Sequence, residues 1–179
     1  MAITPEVIVV GLGPGSYTGL RIGLTAARVL GYAAGAELIG FDSLEGMARG
    51  APGHATQVHV VADAQRGDVY AADFAREAPG ELLVCVAKSR IEPVERWAAR
   101  LAEGGLVLGP GLDSARIRDA LPAGIEVAGP ELRRPRAEAL LELALELARR
   151  GRRDDLGSTE PNYLRRSAAE DQWDARAPA

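Results

Sequence analysis

Short β-branched runs alternate along the chain with longer alanine- and leucine-rich stretches, and that alternation predicts an α/β protein. Val7-Ile8-Val9-Val10 predicts a first buried strand. Residues 18–34 predict the first helix, in which Leu20, Leu24, Ala27, Leu30 and Gly31 form one apolar stripe that Ile22, Ala26, Val29 and Ala33 broaden. Gly35 stops it, residues 37–41 predict a short strand, and Asp42 or Ser43 caps a brief helix carrying Leu44, Met47 and Ala48. Gly50-Ala51-Pro52-Gly53 is the clearest boundary in the chain. Beyond it, residues 58–63 and 68–74 predict a β-hairpin turning at Ala64-Gln65-Arg66-Gly67. Residues 81–87 predict another strand, and Pro93 opens an amphipathic helix through Trp97 and Leu101. A strand at 106–109, a short helix at 114–121 and a strand stub at 125–127 follow. Residues 135–150 carry the best helical pattern, with Leu140, Leu141, Ala144, Leu145 and Ala148 on one face. The remainder predicts an extended stretch docked through Tyr163 and Leu164, then disorder after about Trp173.

The link between the first strand and the first helix is Gly11-Leu12-Gly13-Pro14-Gly15-Ser16. Glycines there free the backbone, and Ser16 or Thr18 can cap the helix that follows. A loop at a helix N-terminus presents N–H groups to an anion. The Walker pattern is absent, since no lysine occurs before Lys88, and Ser16 stands where the dinucleotide fingerprint needs its third glycine. An anion cradle and a tight strand-to-helix turn both fit.

Charge and composition narrow the partners. A chain of 179 residues makes one or two small domains, and its net charge of -4 provides no general basic footprint for nucleic acid. The excess of arginine over a single lysine fits genome composition better than function. Arg149-Arg150-Gly151-Arg152-Arg153 reads as a solvated helix end answered by Asp154 and Asp155. Residues 1–6 do not form a signal peptide, no stretch is long and apolar enough to span a membrane, and a cytoplasmic protein is expected. Cys85, inside Leu82-Leu83-Val84-Cys85-Val86, reads as a small buried hydrophobe.

His54 and His59 make no recognised metal pair, and no Ser/His/Asp order suggests a hydrolase, so no metal and no cofactor is expected. Asp63 and Asp68 flank the hairpin turn. Paired carboxylates can act as acid and base, but the reading in which Asp63 and Arg66 fix the turn is the stronger one. Tyr70 and Phe74 read as packing residues.

Three ordered strings then resemble one family. Gly13-Pro14-Gly15-Ser16-Tyr17-Thr18-Gly19-Leu20-Arg21-Ile22-Gly23 resembles the signature loop of TsaB, the dimerisation subunit of the bacterial tRNA threonylcarbamoyladenosine machinery. Asp63-Ala64-Gln65-Arg66-Gly67-Asp68-Val69-Tyr70 is similar to its D-A-R-x-G-E-V-Y hairpin, with Asp63, Arg66, Gly67 and Tyr70 as the matched positions. Glu160-Pro161-Asn162-Tyr163-Leu164-Arg165 is similar to its C-terminal E-P-x-Y-L-R. The resemblance implies an actin-like, sugar-kinase-like two-lobe fold. It implies a non-catalytic subunit that binds the catalytic relative TsaD, joins the ATPase TsaE in a larger complex and meets tRNA only there. A homodimer is an open possibility. TsaD's metal-binding H-x-x-x-H helix has no counterpart in this sequence. The rival reading is a nucleotide-dependent transferase using residues 11–16 as a phosphate cradle.

The family's partner surface includes the helix after the glycine loop, which points to Leu20, Leu24, Ala27, Arg28 and Gly31 as contact positions. Family members begin well upstream of this chain's Met1. The division expected is therefore a partial first lobe at 1–52 without its first strands and helix, a second lobe at 53–160 and a tail at 161–179. An in-frame upstream extension, or a separate chain supplying those strands, is expected from the same comparison, and nucleotide binding is correspondingly not expected.

Overall fold

A computed structural model describes residues 4–101 and 105–165 of the chain. Strand β1 (Val7–Gly11) lies parallel to β2 (Glu37–Phe41), in register from Val7 opposite Glu37 to Gly11 opposite Phe41. Parallel neighbours need a long crossover, and helix α1 (Tyr17–Ala34) supplies it. Ser16 caps α1, its side-chain oxygen accepting from the Gly19 N–H, and Gly35 ends it with a left-handed φ of 64°. Leu24 and Ala27 bury one stripe of α1 against Leu38, with Ile8, Val10, Leu12 and Leu156 packed around them.

The second sheet has the order β5-β4-β3-β6-β7. Its centre is a hairpin of β3 (Gln57–Gln65) and β4 (Asp68–Ala75), which is antiparallel to β5 (Val84–Pro93) on one side. On the other side β3 runs parallel to β6 (Leu106–Leu108), and β6 runs parallel to β7 (Glu126–Val127). Both faces of β3 are covered, so Val58, Val60 and Val61 are fully buried. Leu44 and Met47 of α2 (Ser43–Ala48), Trp97 of α3 (Val94–Ala98) and Ile117 of α4 (Ala115–Asp119) join that core. Helix α5 (Ala137–Arg149) then packs on α2 and β2. The side chains of Leu140 and Phe41 close on Gly46 so tightly that a Cβ there would sit 2.7 Å from each.

Two expectations need correction. Residues 53–160 do not form one lobe, because α5 and the segment after it return to the first sheet. Asp154 donates its N–H to Leu38 O at 2.8 Å, and its carboxylate accepts from the Gly40 N–H at 2.8 Å. Cys85 is not buried but exposed, because β5 is the outer strand of its sheet and has one strand neighbour among the described residues. Val84 and Val86 beside it are 62% and 63% exposed. Local burial, then the carboxylates of Glu45 and Asp42, push the Cys85 thiol above its ordinary pKa. Iodoacetamide is therefore expected to label Cys85 slowly at about pH 7 and much faster at about pH 10, since only the thiolate reacts. Maximal labelling already at neutral pH would contradict that environment. The tail beyond 165, and with it the expected disorder after Trp173, lies outside the described residues. The arginine cluster behaves as a helix end: Arg150 pairs with Glu146 at 2.7 Å, Arg152 with Asp154 at 3.2 Å, and Arg153 with Glu37.

Candidate functional site

Three separate stretches of the chain converge on one cleft of about 770 Å3. Residues 14–17, the hairpin end at 62–66 with Tyr70, and residues 162–165 line it, with Pro110 on the remaining side. The glycine loop is fixed from behind by α2. Gly13 donates its N–H to Ser43 Oγ at 3.1 Å, and the Ser43 N–H donates back to Gly13 O at 2.8 Å. Gly13 has φ 106°, and a Cβ there would meet Asn162 O and Leu20 Cδ1 at 3.0 Å each, so only glycine fits. The Gly13 N–H and the Ser16 oxygen are thus both used inside the protein. Thr18, Gly19 and Gly23 lie along α1, outside the cleft lining, and a Cβ at Gly23 would meet nothing within 4 Å.

The hairpin end is built with comparable constraint. The Asp63 carboxylate accepts from the Gln65 N–H at 2.7 Å, at the point where the β3–β4 register shifts. Gln65 and Arg66 both take left-handed φ values, 65° and 56°, and Gly67 follows at 90°. Holding two non-glycine residues there costs about 1 kcal/mol or more each. A Cβ on Gly67 would sit 2.6 Å from the Arg116 guanidinium, a flexible side-chain end that can move aside, so it is the φ of 90° that favours glycine. Asp68 is not placed as a partner acid for Asp63. It accepts from Arg165 at 2.6 Å and so ties residues 162–165 to the hairpin. Tyr70 is half-buried at the cleft wall, and Phe74 is buried in the core.

An aromatic cluster closes the cleft on the α1 side. The Tyr17 and Tyr163 rings lie 4.9 Å apart between centroids, and the Arg21 guanidinium sits 4.1 Å over the Tyr17 ring. Arg21 Nε also donates to the Tyr163 hydroxyl at 3.1 Å. The segment carrying Tyr163 is strapped to the first sheet. The Asn162 N–H donates to Leu12 O at 2.6 Å, and Arg28 donates to the carbonyls of Gly157 and Thr159. The sequence patterns did not single out Tyr17 or Tyr163 as site residues, although each lies inside a matched string.

Among proteins of known identity, one from Escherichia coli (strain K12), named tRNA threonylcarbamoyladenosine biosynthesis protein TsaB, is 33% identical over 89% of this chain and 70% of its own length. A protein of the same name from Bacillus subtilis (strain 168) is 32% identical over 93% of this chain and 72% of its own. The chain belongs to the TsaB family. The broader family model that matches, over residues 3–173, is described as TsaD, tRNA N6-adenosine threonylcarbamoyltransferase. A solved structure called YeaZ from Pseudomonas aeruginosa superposes with a TM-score of 0.75 at 25% identity, covering 89% of this chain and 74% of that one. A second, described as an uncharacterized protein with similarity to peptidase YEAZ from Pseudomonas aeruginosa, gives 0.74 at 26% identity over the same shares. The fold is thus the actin-like one that the TsaB resemblance implies. Among the described residues no helix is long and apolar enough to cross a membrane.

On α1 of this TsaB-family chain the expected contact positions divide between buried and part-exposed sites. Leu24, Ala27 and Gly31 are buried inside the chain, and a Cβ on Gly31 would lie 2.8 Å from Leu156 Cδ2. Leu20 packs against the glycine loop, and Arg28 holds the strap. The helical period puts Ile22, Ala26, Val29 and Ala33 on the opposite side. There Ile22 is 65% exposed, Val29 61% and Leu30 59%, with Ala26 and Ala33 open between them. Among the described residues β1 has one strand neighbour, β2, so the open helix face and an open strand edge belong to the same sheet layer.

A buried polar chain crosses the second sheet. His59 Nδ1 is 2.8 Å from Asp73 Oδ1, Arg90 donates to Asp73 Oδ2 at 2.6 Å and to Glu92 at 2.9 Å, and Arg100 reaches Glu92 as well. The three strands β3, β4 and β5 are thereby joined through side chains as well as backbone. Among the described residues, no group of three or more His, Cys, Asp and Glu side chains is arranged to hold a metal ion. Burial on its own would raise the Asp73 carboxyl, but hydrogen bonds from His59 and Arg90 and their charges hold it below the usual carboxylate range. A group depressed in the folded state stabilises the fold fully above its unfolded pKa, near pH 4, and loses that contribution as pH falls through the lower folded value. Asp73→Asn should therefore flatten the acid limb of a stability–pH curve. Superimposable acid slopes for the two proteins would refute the assignment.

Proposed function

We propose that this chain is a non-catalytic partner subunit that binds TsaD and supports threonylcarbamoyl transfer to the adenosine beside the anticodon of tRNA, with TsaE joining a larger complex. The relatives named for tRNA threonylcarbamoyladenosine biosynthesis supply the system. The observation that carries the partner role is the outward apolar face of α1 at Ile22, Ala26, Val29, Leu30 and Ala33. A soluble chain rarely leaves such a contiguous stripe to water, and the stripe suits a close helix-on-helix contact. The cleft supports the non-catalytic part of the reading: Ser16, Asp63 and Asp68 are engaged in building loops. A reconstitution with TsaD, TsaE, ATP, threonylcarbamoyl-adenylate and tRNA should yield modified tRNA several-fold faster when this chain is added. Equal yields with and without it would sink the proposal. ATP turnover by the isolated chain would favour the rival transferase instead.

A further inference from the structure

The function proposed above leaves the cleft without a task, although all three matched strings meet there. We propose that the cleft receives one unstacked nucleotide from a single-stranded RNA loop, its base lying on Tyr163. This rests on the reading that the chain works in tRNA modification.

The wall chemistry is that of a stacking platform. Tyr163 and Tyr17 form a tilted pair, each a little over two-fifths exposed, and Arg21 holds both, lying over the Tyr17 ring and donating to the Tyr163 hydroxyl. Single-stranded nucleic acid is held by such aromatic faces together with arginine planes, because every base has a π-face. Tyr70 adds a third ring to the wall, and Pro110 gives the cleft an apolar side. A volume of about 770 Å3 lies within the range of sites that enclose a small planar ligand.

Charge limits the contact to one residue of RNA. With a net charge of -4 the chain cannot follow a phosphate backbone by electrostatics, and a duplex would hide its bases from the tyrosines. Arg165 in the cleft lining already pairs with Asp68 at 2.6 Å, so the contact rests on the aromatic rings rather than on unpaired charge. A free nucleoside triphosphate fits these residues less well. The lining has no lysine, the Gly13 N–H is given to Ser43, and the Ser16 oxygen is given to the Gly19 N–H.

The test uses the whole chain and an RNA stem-loop carrying 2-aminopurine at one unpaired loop position. Stacking on Tyr163 should quench the fluorophore on binding. Tyr163→Ala should remove the quench and weaken binding about tenfold or more, whereas Tyr163→Phe should keep both. Affinity should fall only shallowly with salt, as a contact that rests on stacking requires. A thermal melt of each variant guards against unfolding. Ultraviolet crosslinking of wild-type chain to 4-thiouridine RNA should label peptides containing Tyr17 or Tyr163 whether or not the alanine variant folds. Absence of binding, an unchanged Kd in folded Tyr163→Ala, crosslinks elsewhere, or displacement of the RNA by equimolar ATP would each overturn the proposal. Capture of TsaD by Tyr163→Ala reads the partner role separately, because the outward face of α1 is untouched by that change.

Discussion

Ala27→Arg is expected to unfold the protein, while Val29→Arg, two positions along the same helix, leaves it folded and unable to hold its partner. Ala27 is 6% exposed and sits with Leu24 and Leu38 in an all-apolar cluster. A guanidinium forced in there would find no counter-charge, and an unpaired buried charge costs about 3–5 kcal/mol. That approaches the whole stability of a domain, about 5–15 kcal/mol. Val29 is 61% exposed, so the same arginine there meets water, and such surface changes usually alter stability by only about 0.5 kcal/mol. In a helix-on-helix interface, however, that arginine would have to be desolvated. Losing a central apolar contact to an unpaired charge should weaken TsaD binding by about 2 kcal/mol or more, roughly thirtyfold. Thermal melts and titration calorimetry on the two variants separate the effects. A folded Val29→Arg protein that binds TsaD with unchanged affinity would remove the outward face from the interface.

The same pair of residues shows where the sequence stops informing. Helix α1 is apolar nearly all round, so its period establishes a helix but not which side faces in. Leu38 and Leu156 decide that, and Leu156 belongs to a segment with no helical or strand pattern to announce it. The strands β1 to β4 were legible because short apolar, β-branched runs bounded by glycine, proline and other turn residues leave few alternatives. Cys85 was misread for the opposite reason: an apolar run looks alike at the centre and at the edge of a sheet, and only the strand order tells them apart. Each string lining the cleft was readable by itself. Their convergence was not, since Arg21 meets Tyr163, and Arg165 meets Asp68, only through the strap. The His59–Asp73 contact was equally hidden, because it exists through the register that sets His59 opposite Asp73.

Gly109→Ala is expected to be among the most damaging single-methyl additions in the chain. Gly109 ends β6 with φ 112° and ψ 171°, a region that is essentially closed to any residue with a Cβ. Space is refused as well as torsion. The added carbon would lie 2.4 Å from Val61 O and 3.2 Å from Val61 N, both backbone atoms of the central strand β3. Val61 is fully buried and paired with Ala71 across the hairpin, so it cannot retreat without breaking the ladder. Gly111, whose Cβ would meet the same carbonyl at 3.0 Å, shows that the whole turn is pressed onto β3. A loss of about 4 kcal/mol or more, or no folded protein at all, is expected. Gly124→Ala is the control: φ is 86° there, but nothing stands within 4 Å of the added carbon. Strain alone should cost about 1 kcal/mol at that site, a Tm shift of about 2–4 °C. The contrast also bears on the cleft, because Gly109 directs the chain so that Pro110 reaches its wall. Any folded fraction of Gly109→Ala should therefore show weakened quenching of 2-aminopurine RNA, while Gly124→Ala keeps it. Equal melting temperatures for the two variants would show that the turn after β6 does not lie this closely on β3.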